Sequence, residues 1–146
     1  VYDVVLDDGT SLLQRFIDEN IDAHRDEVVD ILARLTTICG RTGARLSFFK
    51  ENEGIPGDGV CALYDDPDSN LRLYCVRYGT DVVVVGGGGP KSKSISAFQE
   101  SGKLTKENYI MRKVSQDITQ KMKDGDLSLK EITFEGDLQF NSLYDE

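Results

Sequence analysis

Residues 70–100, NLRLYCVRYGTDVVVVGGGGPKSKSISAFQE, place an alternating apolar run, a tight turn, four consecutive valines and four consecutive glycines in one stretch. Over residues 71–78 the side chains sort cleanly by parity. Leu71, Leu73, Cys75 and Arg77 share one face, and Arg72, Tyr74, Val76 and Tyr78 share the other, as a strand requires. Residues 80–85 then return as a second strand across a turn at Gly79-Thr80. Four β-branched residues in a row suit a strand covered on both sides. The rest of the chain must therefore supply two covering layers.

The first candidate layer is helical. Residues 2–6 read as a short strand closed by Asp7-Asp8-Gly9, and Thr10 or Ser11 can cap a helix over 12–19. A second helix over 22–39 carries Val28, Ile31, Leu32, Leu35 and Ile38 as a stripe, with Gly40 as its stop. Residues 45–50 and 60–64 read as strands, separated by a loop rich in glycine and proline. Gly86–Gly89 reads as the end of the sheet and 94–99 as a short helix. A longer helix over 105–123 has Ile110, Val114, Ile118 and Met122 in register. The predicted class is α+β: an N-terminal strand and helical hairpin packed on an antiparallel sheet, with C-terminal helices. Residues 1–123 form the domain. Residues 124–146, with seven acids against Lys130, form an acidic extension that is either an edge strand or a tail.

A length of 146 residues suits one domain with a real core. The net charge of −9 is uneven, since residues 1–40 hold nine acidic and three basic side chains. That balance disfavours non-specific nucleic-acid binding, which needs clustered cations, without forbidding one locally basic face. No apolar run approaches the roughly 20 residues of a membrane span. The opening VYDVVLDDG has neither the basic nor the apolar region of a secretory signal. Three cysteines without CxxC spacing read as small buried hydrophobes in a reducing, cytoplasmic setting. With a single histidine, His24, no metal or other cofactor is expected.

The glycine run invites a phosphate-loop reading, but the spacing fails. Pro90 separates Gly89 from Lys91, and Lys91 occupies the place where a dinucleotide fingerprint needs its third glycine. Close packing of backbone against the helical hairpin is the expected use of these glycines. The cations are more promising: Arg72, Arg77, Lys91 and Lys93 have Asp81 as the one acid among them. If the two strands pair, Arg72, Lys91 and Lys93 converge on one open sheet face shared with tyrosines. Arginine offers phosphate a fork, lysine a point charge and tyrosine a stacking surface. No GxSxG, HExxH or Cys–His motif is present.

In LRLYCVRYG-TDVVVVGGGGPKSKSISAFQE the chain resembles the RelE/ParE superfamily of bacterial toxins, most closely its HigB-like, phage-derived branch. The echo is a Leu-Arg strand, an apolar strand and a lysine-rich link into a helix, following a strand and a helical hairpin. The resemblance implies the toxin of a type II toxin–antitoxin system, an endoribonuclease that cuts mRNA on the ribosome. It also implies a cognate antitoxin as partner, for which a small helix-turn-helix protein is the expected type. Under it, Arg72, Lys91, Lys93 and Tyr74 are the catalytic candidates, and Arg45, Lys50 and Arg77 the further RNA-binding ones. Phe98 stands where some RelE-type enzymes use a tyrosine to assist the chemistry. The alternative is a catalytically inactive RelE-like protein-interaction module, binding a basic partner through the acidic first forty residues.

Overall fold

In the computed structural model the described residues are 1–39, 49–50, 59–63, 69–78, 82–91, 102–130 and 133–140, without the side chains of 50, 130 and 133. They form β1 (Tyr2–Asp3), α1 (Leu12–Asn20), α2 (Arg25–Thr37), β2 (Phe49–Lys50), β3 (Val60–Leu63), β4 (Leu71–Tyr78), β5 (Val82–Pro90), α3 (Gly102–Lys123), β6 (Leu127–Lys130) and β7 (Thr133–Gly136). The five-stranded sheet has the order β1-β5-β4-β3-β2. β1 runs parallel to β5, and every other pairing is antiparallel. The α+β class and the mostly antiparallel sheet are as expected. The expected strand over 45–50 is described only at Phe49–Lys50, and the expected helix over 94–99 lies outside the described residues.

Local sequence accounts for the element ends. The Ser11 hydroxyl accepts from the Gln14 amide at 2.9 Å, capping α1. Asp26 and Glu27 occupy the first turn of α2, where its dipole favours acids. After Asp3 the chain leaves the sheet earlier than the alternation suggests. Leu6 N donates to Thr10 O and Leu12 N to Val4 O, both at 2.9 Å, folding 4–12 into a tight reversal that delivers α1 back onto β5.

The two sheet faces have separate cores. Phe16, Val28, Ile31 and Leu35 of α1 and α2 pack on Leu71, Leu73, Cys75, Val83 and Val85. Leu104, Ile110, Met111, Val114 and Ile118 of α3 pack on Tyr74, Val76, Val82 and Val84 on the other side. β6 and β7 pair only with each other among the described strands, so they are not an edge of the main sheet. Their hairpin docks on the α3 face through Leu127 and Phe134, both buried. Phe134 stacks against Tyr2 and Tyr78 with ring centroids 5.2 and 5.4 Å away, and its amide donates to the Tyr2 hydroxyl at 2.8 Å.

The glycine run departs most from expectation. Gly86–Gly89 do not end the sheet; they are strand, and all four are buried. None has a positive φ, so the missing side chain rather than backbone freedom explains them. A Cβ at Gly86 would overlap the Met111 thioether, one at Gly87 the Glu107 carboxylate, and one at Gly89 would lie 3.2 Å from Lys103 Cγ. These are all residues of α3, not of the helical hairpin that was the expected neighbour. The register shifts between Leu73–Gly88 and Cys75–Val85, leaving Gly86 and Gly87 opposite Tyr74 as a bulge.

Candidate functional site

Arg72 lies opposite Gly89 and Leu71 opposite Pro90, so Arg72 and Lys91 share the end of the β4–β5 pair farther from its connecting turn. The Lys91 amide donates to Asn70 O at 2.7 Å. Glu27 of α2 fixes this end. Its Oε1 accepts from the amides of Asn70 (2.7 Å) and Leu71 (3.2 Å), and its Oε2 from Asn70 Nδ2 (2.7 Å). Partial burial pushes the Glu27 carboxyl up. The hydrogen bonds from Asn70 and Leu71 outweigh it and hold the group below its ordinary 4.5.

The expected open face is not open. Arg72 is 7% exposed and Tyr74 only 2%; the tyrosine is packed with Leu104, Ile110 and Met111 of α3, which the glycines let settle directly on this half of the sheet. A ring so enclosed has no face to offer a base. Arg77 does not join the group. It stands five residues along β4 and on the opposite face by parity, half-buried, with its guanidinium 5.9 Å from the Phe49 ring centroid. Lys50 is level with Ala62 and hence Tyr74, but two strands away, about 10 Å at ordinary strand spacing. Lys93, Arg45 and Phe98 lie outside the described residues. The C-terminal hairpin does not lie across Arg72 either. Phe134 touches Tyr78, about 20 Å along the strand from Arg72.

Beside the glycines lies an ionic cluster absent from the sequence reading. Glu107 of α3 is 1% exposed, and its Oε1 meets Arg15 Nη2 of α1 and Lys103 Nζ of α3, each at 2.8 Å. Lys103 also reaches Glu19 of α1 at 3.0 Å. Burial works against the Lys103 charge, and Glu107 and Glu19 more than restore it, raising the group above its ordinary 10.5. The Glu107 Oε2 faces Gly87 with no hydrogen-bond partner. The cluster thus clasps α1 to α3 at the glycine half of β5. A signal for it exists in the sequence: Glu107 falls in register with Leu104, Ile110, Met111 and Val114, a carboxylate inside an apolar stripe.

Cys61 and Cys75 face each other across β3 and β4 as buried thiols not joined in a disulfide. Burial, with the neighbouring Cys61 adding to it, pushes Cys75 well above its ordinary 9.0, so it stays a neutral, unreactive packing group. Among the described residues no helix is long and apolar enough to cross a membrane, and no cluster of His, Cys, Asp and Glu is placed to hold a metal ion. No family model, curated protein or solved structure matches the chain.

Proposed function

We propose that this chain is a RelE-like protein-interaction module that does not cleave RNA. The observation that carries the reading is the burial of both Arg72 and Tyr74. An arginine that stabilises a developing phosphorane must reach the substrate phosphate, and a stacking tyrosine must present its ring. The element order still supports the toxin-like fold: an N-terminal strand and two helices precede antiparallel strands, and β1 returns beside β5. The surface offered to a partner is that of α1 and α2. There Asp18, Asp26 and Asp30, with Asp22 between the helices, are exposed, as is Val29 at 55%. Such a surface fits a basic partner with an apolar anchor.

The runner-up, a ribosome-dependent mRNA interferase silenced by an antitoxin, draws support from Arg72 and Lys91 sharing one end of the β4–β5 pair. Expression without a partner separates the two. The module reading expects normal growth and intact messages. It also expects a co-purifying basic protein whose capture survives Arg72→Ala and Lys91→Ala but is lost on Asp22→Lys with Asp26→Lys. Growth arrest with message cleavage, relieved by Arg72→Ala, overturns it in favour of the nuclease.

A further inference from the structure

A second region carries chemistry that neither reading uses. At the β1 edge of the sheet, a cavity of about 440 Å³ opens between the reversal at residues 2–7, α3 and the segment after β7. Its floor is Val84, with Val114 and Ile118 of α3 on one side and Phe134, Leu138 and Phe140 on the other. That volume lies within the range of small-molecule sites, and its walls have the expected apolar and aromatic character.

The charged residues that line it carry one sign. Asp3 and Asp7 are exposed and line the cavity. Asp3 accepts one long hydrogen bond from the Leu13 amide, at 3.4 Å, and among the described residues neither carboxylate is ion-paired. The nearby cation is already engaged. Lys121 Nζ bonds Asp137 at 2.6 Å and the Gln139 carbonyl, and sits 4.4 Å from the centre of the Phe140 ring. The Lys121 hydrogen bond and the Gln139 amide together hold Asp137 below its ordinary 3.8, so that pair stays formed at neutral pH. An anionic ligand would meet two carboxylates that have no ion-pair partner among the described residues. A cationic one would find apolar walls for its body and carboxylates for its charge.

We propose that this cavity is a binding site for a small apolar amine, an aromatic or branched aliphatic body carrying one protonated nitrogen. The apolar body enters between Val114, Ile118 and Phe134, and the ammonium remains at the mouth beside Asp3 and Asp7. The site is separate from the proposed partner surface and does not rest on that reading.

Three probes of one shape test it on the full chain: 4-phenylbutylamine, 4-phenylbutanol and 4-phenylbutyrate, titrated while the methyl resonances of Val84, Val114 and Ile118 are followed. Saturable shifts at these methyls are expected, with the amine binding about two- to fivefold tighter than the alcohol, the range for exposed charge pairs, and the carboxylate weakest. Asp3→Asn with Asp7→Asn, both surface changes, should keep binding and erase the amine preference. Val114→Phe should fill the cavity and abolish binding of all three probes, its folding checked by thermal melting. Absence of saturable shifts, equal affinity for amine and carboxylate, or an unchanged preference in the double asparagine variant would each overturn the proposal. So would a double variant that loses a co-purifying protein in a chain whose methyls never respond to the probes, since the acids would then serve a macromolecular partner.

Discussion

Val82–Val85 and Gly86–Gly89 are consecutive stretches of one strand, both buried on both faces, and they reach that state by opposite means. The valines bury side chains: Val82 and Val84 fill space beneath α3, while Val83 and Val85 meet α1 and α2. The glycines bury backbone: Met111 and Glu107 of α3 occupy the volume a Cβ would need at Gly86 and Gly87, Lys103 crowds Gly89, and at Gly88 the Arg72 carbonyl of β4 stands there. One end of α3 is thus held off the sheet by side chains and the other rests on the main chain. The ionic clasp and the buried Arg72, opposite Gly89, both fall at the glycine end.

The comparison can be broken by substitution. Gly88→Val should have the largest effect, because a Cβ there runs into the Arg72 carbonyl of the neighbouring strand, a backbone atom that cannot swing away. We expect a loss of more than about 3 kcal/mol, overpacking added to lost strand pairing, read by chemical denaturation. Gly87→Ala should cost about 2 kcal/mol by overpacking. In this case the obstruction is the Glu107 side chain, so Gly87→Ala with Glu107→Ala should cost less than the two singles summed, by about 1 kcal/mol. Strict additivity would show that Glu107 is not what fills the glycine's space. Val84→Ala, which only opens a cavity in the valine half, should cost about 1–2 kcal/mol and show no coupling to Glu107. Were Gly87→Ala as mild as a surface change, the division of the strand into two modes of burial would fail.

The smallest effect concerns Glu27 and is best seen in its pH dependence. The folded carboxyl is held below 4.5 by Asn70 and Leu71. Its stabilisation is therefore complete above the unfolded value and lost as pH falls through the folded one. Glu27→Gln should cost about 1 kcal/mol at neutral pH and nearly nothing once the carboxyl is protonated. A penalty unchanged between pH 7 and pH 3 would assign the effect to shape rather than charge.

Much of the frame could be read from residue patterns because each signal was local. The period-two sorting of residues 71–78, the Ser11 cap, and the stripes Val28, Ile31, Leu35 and Ile110, Val114, Ile118 each follow from a single element's geometry. The limits of the glycine run did not follow. Four glycines weaken a strand by intrinsic preference, and only the approach of α3, a tertiary fact, offsets that cost. The openness of the expected face did not follow either: parity puts Arg72 and Tyr74 on one face but cannot say whether that face is covered, and both are buried. Glu107 was legible in principle as a charge in an apolar register, and Lys103 as its neighbour one helical turn away; Arg15 was not, since it comes from 92 residues earlier in the chain.

The tie between Tyr2 and Phe134 has a consequence for the order in which the molecule assembles. β1 finds its strand partner only at Val84, and its tyrosine hydroxyl is met by an amide 132 residues later. During folding β1 must therefore wait, with Tyr2, Val4 and Leu6 uncovered, until β5 and the β6–β7 hairpin are in place. Contacts of such long separation close slowly. The sheet edge at β1 is set to be among the last parts of the molecule to become native, because each of its partners is far away along the chain.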